Sequence, residues 1–460
     1  LKNLFVDMPE LYDLLAPLAL DGKLLAYLVG IAQNFDQKTP YHHLSLFDHT
    51  CAAVSYALAH NANDRVVTAL RWHDLGKVYT QSMVNIPNGT PDGEMRAHYY
   101  GHAVASRDLY LLHLRPNQLN EETNYIAALI LNHDRHLNRR VVKQLLAEGW
   151  TSDFIRDLML VQQCDKFAQS DYAKERNTAT FEEGLSQARD VLRTAKAMEK
   201  VRAHYDYLVA QGYEVAGIFL YGSQNYGLDY EDSDYDTKAI VIPTFENYVH
   251  SKTRISTVLI TPENEHIDVK DIRSMFDNLA KSNINFLEIL FTKFRILSPR
   301  YSELLAPIFQ RREEIATYDM QGMLNAACGM SMQKLKALQH PYPTIVDKIE
   351  RFGYDPKQLH HICRLHEFLS RVTGGESFAA SLKSKQRERF VQLKRGVLPV
   401  DEAVALAQTT DRLTHDLKVA WIDQHAPVVN EDIPLLLDKV CYEVLKTRFT
   451  RELLAAQFKL

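Results

Sequence analysis

Apolar positions recur every third and fourth residue through most of the first 192 residues, as in "FIRDLMLVQQCDKFA" over 154–168, and few β-branched runs interrupt them. That spacing predicts amphipathic helices, each turning one face to a core. The stretch "NIPNGTPDG" (85–93) breaks the pattern with Pro, Gly and Asn and predicts a loop. A polar helical segment over 181–204 predicts a connector to a second unit. Beyond it the period changes. "YEVAGIFLYGS" (213–223), "DTKAIVIP" (236–243) and "EHIDVKDI" (265–272) are short, β-rich and separated by turns, which predicts strands of a mixed sheet. After "FTKFRILSPRY" (291–301) the helical spacing returns to the end of the sequence, with breaks expected at "GGES" (374–377) and "GVLPV" (396–400). No internal repeat and no low-complexity tract is visible.

A length of 460 residues exceeds one ordinary core and predicts two to four domains. At 46% hydrophobic and 24% charged, the composition is that of a soluble globular protein. The net charge of −5 gives no global basic field, so contact with a polyanion must come from local patches. Five scattered cysteines (Cys51, Cys164, Cys328, Cys363, Cys441) without CxxC spacing argue against a disulfide framework or a zinc ribbon, and suit a reducing cytoplasm. The apolar stretch "LYDLLAPLALDGKLLAYLVG" is interrupted by Asp13, Asp21 and Lys23 and has no basic n-region. It reads as an amphipathic helix pair, neither signal peptide nor membrane span.

Histidine and aspartate recur in the helical first part: "DHT" (48–50), "RWHDLGK" (71–77), "HYYGH" (98–102), "LILNHD" (129–134) and "QQCDKFAQ" (162–169). Imidazole with carboxylate suits a first-row divalent ion such as Mn, Fe, Co, Ni or Zn. His49, His73, Asp74 and Asp165 stand out, and adjacent His73 and Asp74 can reach one ion if they sit near a helix end. At these residues the chain resembles the HD-domain metal phosphohydrolases, with their H…HD…D pattern. "HHLSLFDHT" followed by "RWHDLGK" is similar to the HD part of bacterial tRNA nucleotidyltransferases, over roughly residues 40–175. The resemblance implies His49, His73, Asp74 and Asp165 as ligands of one metal, with His102 and His133 where two-metal members place extra ligands. The chemistry implied is hydrolysis of a phosphate ester, with Lys77 and Arg135 as candidate phosphate contacts.

The second constellation lies in "LYGSQNYGLDYEDSDYDTK" (220–238). A strand-like run leads into Gly222-Ser223, and ten residues later Asp234-x-Asp236 heads another strand. Alternating aspartates at a strand head share one face and suit Mg²⁺, which also takes substrate phosphate oxygens. Gly222 lets the backbone approach a phosphate, and Ser223 offers a hydroxyl and an amide. Asp268 in "EHIDVKD" is the expected third carboxylate, poised to activate an attacking hydroxyl. Asp229, Glu231 and Asp232 are expected to form a solvated turn. Gly-Ser followed by Asp-x-Asp resembles the nucleotidyltransferase superfamily that includes DNA polymerase β. "DVKDIRSMFDNLAKSNINFLEILFT" and "GYDPKQLHHICRLHEF" are similar to a bacterial and phage group of such transferases linked to RNA repair, over about 210–375. That likeness implies that Lys334, Lys357, His361 and Arg364 approach the nucleotide or the nucleic-acid end. It gives Asn283, Asn285 and Glu288 a structural role only.

"SLKSKQRERFVQLKR" (381–395) is strongly basic and, as one helix, would suit a phosphate backbone. Together these readings predict a multidomain α and α/β chain. An all-α HD domain over 1–195 precedes a mixed-sheet nucleotidyltransferase core over 196–300, and a helical region over 301–460 completes the nucleotide and acceptor site. The expected activity is RNA 3′-end processing or repair, with tRNA as the expected substrate. The HD site would clear a 2′,3′-cyclic phosphate or 3′-phosphate, and the transferase would add NMP from NTP. CCA-adding enzymes join the same two modules in the opposite order. Two alternatives are synthesis and hydrolysis of a small nucleotide signal, and AMP transfer to a protein partner. NTP and RNA are the expected partners, no membrane is implied, and a homo-oligomer is left open.

Overall fold

The structure, a computed structural model, describes residues 9–85, 95–229, 234–250, 253–343, 345–426 and 430–457. The chain divides into two compact units, Leu1–Arg193 and Thr194–Leu460. The division falls inside the helix Asp171–Ala210.

The first unit is almost wholly helical. Ser45, Asn63 and Thr151 accept the backbone N–H of Asp48, Val66 and Phe154, capping the helices Leu46–Ala59, Asp64–Trp72 and Ser152–Phe167. Their apolar faces meet Glu121–Asn132 around Leu70, Leu129, Phe154 and Leu158, all fully buried. The N-terminal pair forms as Pro9–Leu20 and Leu24–Ala32, and no single helix among the described residues is long and apolar enough to cross a membrane. One departure from the helical expectation is a small antiparallel pair, β1 (Ser82–Asn85) and β2 (Met95–His98). Four residues a strand are too few for a period to show. Of the predicted loop, residues 86–93 lie outside the described residues.

The second unit is built on a mixed sheet of β3 (Val215–Leu220), β4 (Thr237–Val241), β5 (Ser256–Ile260), β6 (His266–Asp271) and β7 (Arg295–Leu297), in the order β5-β6-β4-β3-β7. Only β4 and β6 run parallel. Every position of β3 and β4 is buried, so β3 reads as a continuous apolar run and β4 as one from Ala239 on, after buried Thr237 and Lys238, whereas β6 alternates. The edge strand β5 is mostly exposed, which is why its pattern did not single it out. Helices from residues 301–460 share one core with the sheet, where Ile240 and Phe276 join Tyr301, Leu359, Phe368 and Val444. At the start of β3, Glu214 accepts from Arg300, the Tyr301 hydroxyl, Arg448 and Arg451, tying the sheet to the last helix, Asp432–Gln457.

The expected breaks at 374–377 and 396–400 separate Pro356–Thr373 from Phe378–Leu382, and Arg387–Lys394 from Val400–Gln424. The basic stretch 381–395 is therefore not one helix. Between its two pieces the Ser384 N–H donates to the Tyr226 carbonyl and the Lys385 N–H to Glu367, so the interruption is satisfied.

Candidate functional sites

Helix ends assemble the first site. His73 caps Asp64–Trp72 and His133 caps Glu121–Asn132, while His102 opens His102–His113. Each ring takes a backbone carbonyl with Nδ1: His73 with Leu70 at 2.7 Å, His133 with Ile130 at 2.7 Å, and His102 with Tyr99 at 2.8 Å. His49, from Leu46–Ala59, does the same with Ala168 at 3.2 Å. A carbonyl only accepts, so Nδ1 carries the proton and Nε2 is left as a donor atom.

All four Nε2 atoms converge on Asp74. Its Oδ2 lies 3.4 Å from His49 and 3.3 Å from His73, while its Oδ1 lies 3.4 Å from both His102 and His133. Asp165 Oδ1 completes the first set at 2.9 Å from His49 and 3.4 Å from His73. The result is two potential cation sites, His49/His73/Asp74/Asp165 and Asp74/His102/His133, with ligand atoms in each within 4.8 Å of one another. His73 Nε2 is buried without a hydrogen-bond partner, as a ligand nitrogen awaiting an ion would be. The donor set suits a first-row divalent ion.

Charge supports the same reading. Burial pushes His73 down, but Asp74 and Asp165 outweigh it and hold its pKa at about 10; His49 is raised in the same way. Burial disfavours the ionised forms of Asp74 and Asp165, yet both stay well below the usual carboxylate range. Lys77 and His73 hold Asp74 there, and His49 and His73 hold Asp165. Two buried carboxylates thus demand positive charge, supplied here by protons and by Lys77.

Lys77 sits against the first cluster. It is 5% exposed, and its ammonium reaches Asp74 Oδ2 at 2.6 Å, Gln37 Oε1 at 3.0 Å and His42 Nε2 at 3.2 Å. Burial, then Lys77, depresses His42 to about 3, leaving it neutral. Lys77 thus braces the Asp74 carboxylate. Arg135 bonds Asn132 and does not line the cleft beside the cluster. That cleft, of about 340 Å³, is lined by His133 and Asp165 together with Lys166, Gln169, Asn177 and Thr180. Lys166, which sequence reasoning missed, is its cation.

In the second unit, β3 runs into Tyr221-Gly222-Ser223. Gly222 has φ +83° and ψ −144°, a conformation side chains avoid, although a Cβ there would meet nothing within 4 Å. The need for glycine is conformational, not steric. The Tyr221 N–H donates to the Asp236 carbonyl, joining the turn to the Asp-x-Asp. Gly222, Ser223, Asp234 and Asp236 face a pocket of about 340 Å³. Lys334 from Met320–Ala337, Lys357, His361 and Arg364 from Pro356–Thr373, and Lys394 complete it.

Burial and then neighbouring Lys357 depress both Lys334 and Lys394. Burial and Arg364 hold His361 well below its ordinary value and His360 at about 3. Cations placed close enough to repel one another make a pocket for a polyanion. Burial, with Asp234 beside it, raises Asp236 against Lys357 and His266.

Glu288, given no chemical role by resemblance, lines this pocket at 1% exposed. It accepts from the Tyr226 hydroxyl and the Gly222 N–H, and Arg364 stacks 3.6 Å above the Tyr226 ring. It is the buried anchor of the Gly-Ser turn. Asn285 also lines the pocket.

Asp268 is not brought into the pocket lining. In the β4/β6 register it lies beside Lys238, while His266 takes the place next to Asp236, 3.5 Å from its carboxylate. Among the described residues of this unit, no three His, Cys or carboxylate ligands converge. Asp229 is 4% exposed, with its carbonyl accepting from Arg387, and so is not part of a solvated turn. Glu231 and Asp232 lie outside the described residues. All five cysteines are free thiols.

Residues 190–306 match the family model RlaP, an RNA repair pathway DNA polymerase beta family. The matched segment holds the sheet, the Gly-Ser turn and the Asp-x-Asp, and supports an RNA-repair-associated nucleotidyltransferase. It stops short of Lys334, Lys357 and Arg364 and does not include the His/Asp cluster. No curated protein matches the chain.

Proposed function

We propose that the chain repairs RNA 3′ ends, on tRNA, with two active sites. Residues 194–460 transfer NMP from NTP to the end, and residues 1–193 act as an HD-type metal phosphohydrolase that prepares it. The observation that carries the transferase reading is that Gly222, Ser223, Asp234 and Asp236 face the same pocket as Lys334, Lys357 and Arg364.

In the transfer step the acceptor hydroxyl oxygen bonds to the α-phosphorus as the bond to the α–β bridging oxygen breaks. Pyrophosphate leaves, and the hydroxyl proton passes to solvent. Gly222 and Ser223 seat the phosphates, and the lysines hold the departing charge. Asp234 and Asp236 would hold Mg²⁺, which supplies positive charge against the phosphoryl oxygens when bound. In the first unit, His49, His73, Asp74 and Asp165 would hold one divalent ion and Asp74, His102 and His133 a second. Such ions acidify water and polarise a phosphoryl group. Water would attack phosphorus and break its bond to the ribose O3′, with a proton passing to that oxygen: a 3′-phosphate leaves as inorganic phosphate, a 2′,3′-cyclic phosphate opens to a 2′-phosphate, and each frees a 3′-hydroxyl for the transferase.

The test presents RNA ending in 3′-hydroxyl, 3′-phosphate or 2′,3′-cyclic phosphate with Mg²⁺, Mn²⁺ and each labelled NTP. Incorporation that needs Asp236 on the hydroxyl end, and needs both Asp236 and Asp74 on the blocked ends, supports the reading. No incorporation with any end would overturn it. Nucleotide products formed without RNA would point to a small-nucleotide signal, and label on protein to AMP transfer.

A further inference from the structure

Lys238 is a buried ammonium on the catalytic face of the sheet, 5% exposed. It sits 3.1 Å from Asp268 Oδ2, and the faces of Phe286 and Tyr221 lie 4.4 Å and 5.1 Å away. The other carboxylate oxygen, Oδ1, lies 3.0 Å from the Lys270 ammonium. The backbone sets this arrangement: Lys238 and Asp268 are register partners in the parallel β4/β6 pair, and Lys270 follows Asp268 by two on the same face. Asp236 precedes Lys238 by two and faces His266. The strand therefore presents acid, acid, lysine in sequence, and the third carboxylate meets the lysine.

We propose, resting on the transferase reading above, that this centre works with one divalent ion, held by Asp234 and Asp236, and that Lys238 is the fixed positive charge that keeps a second ion off Asp268. Residues fit the first ion, because two carboxylates face an open, phosphate-sized pocket. They do not fit the second. For Asp268 to turn to a metal it must leave two ammonium groups, and Lys238 would lose the carboxylate it contacts between two rings. Tyr221, whose ring borders Lys238, itself lines the nucleotide pocket, so the ammonium lies one side chain behind it. Lys238 is a positioning residue: it fixes Asp268 and the local charge and does not touch the reacting atoms.

The experiment counts Mn²⁺ by electron paramagnetic resonance on the full chain with an α,β-methylene NTP, in the parent and in Asp236→Asn. Ions held by the first unit are common to both and cancel in the difference. A difference of one ion is the expected result. A difference of two overturns the single-ion inference and leaves the transferase reading intact. A difference of zero, with no analogue bound, overturns both. The second arm is Lys238→Met, which preserves the apolar packing against Phe286 and Tyr221 and frees Asp268 Oδ2. Its difference from Lys238→Met/Asp236→Asn is expected to rise to two. A count that stays at one overturns the assignment to Lys238.

Discussion

Asp74 sits among four imidazoles with one ammonium at hand, whereas Asp268 has an ammonium on each oxygen. In the first unit the groups that face the carboxylates are mainly ligands, and their positive charge is borrowed from protons that a metal can replace. In the second, lysine side chains on neighbouring strand positions face the carboxylate, and further cations line the pocket with Asp234 and Asp236. Similar residue types thus give a cluster of potential metal ligands and a cation-lined pocket. The difference lies in what stands opposite each acid.

The sharpest way to break the comparison is to remove one acid from each side. Asp236→Asn should cost roughly 10³-fold in NMP transfer and leave phosphate release unchanged. Asp74→Ala should cost roughly 10³-fold in phosphate release and leave transfer to a 3′-hydroxyl end unchanged, the several kcal/mol that bound ions supply in such centres. Parallel assays of the two activities on each variant check this, and loss of both from either change would erase the division.

Next in size is the proton inventory of the first unit. Because His73 is raised from 6.5 to about 10, the stability it contributes to metal-free protein is fully present below 6.5 and is lost as pH rises through about 10. The chelator-treated protein should therefore melt at progressively lower temperature above pH 6.5, while metal-loaded protein should change less. Mn²⁺ binding at neutral pH should release protons, read by calorimetry in buffers of different ionisation enthalpy. The transferase pocket should show no such release on binding Mg²⁺ with an NTP analogue.

A smaller effect concerns how each site is held. Glu288→Ala removes a buried acceptor from under Gly222 and Tyr226 and should destabilise the second unit by about 1–3 kcal/mol in urea unfolding. It should also raise KM for NTP more than it lowers kcat, since it loosens the phosphate seat. Smallest is Glu214→Gln, at a partly exposed cluster of four donors, for which under about 1 kcal/mol is expected at neutral pH. Against burial, Arg451, the Tyr301 hydroxyl and Arg300 depress Glu214 to about 2, so its contribution is present above 4.5 and is lost as pH falls through 2. Acid unfolding of parent and variant should converge at the low end of that window.

Legibility followed the same divide. The residues that cluster in the first unit could be read because each needs only its own side chain and a helix end nearby. His73-Asp74 at the end of Asp64–Trp72 is such a case. The strands β3, β4 and β6 could be read because burial on both faces, or alternation, writes itself into short apolar runs. What could not be read depended on register and depth. Asp268 sits in a strand that the pattern predicts, but whether it meets Asp236 or Lys238 is decided by a two-residue shift of the β4/β6 pairing. Lys77 looks like any basic residue after a helix until three partners close over it. Glu288 reads as part of a helical turn, and only its burial beneath the Gly222 amide reveals its task. Lys166 and Lys394 belong to clefts assembled from segments distant in the chain.

The four clustered histidines, His49, His73, His102 and His133, owe their tautomers to main-chain carbonyls, not to carboxylates or amides of other side chains. The donor atoms are therefore written in the path of the backbone and are insensitive to most point changes around them. Length is their weakness. A single-residue deletion in Glu121–Asn132 or Asp64–Trp72 would rotate a ring by about 100°, the angle that one residue subtends in a helix of 3.6 residues per turn. The centre should thus tolerate drift in composition far better than drift in spacing.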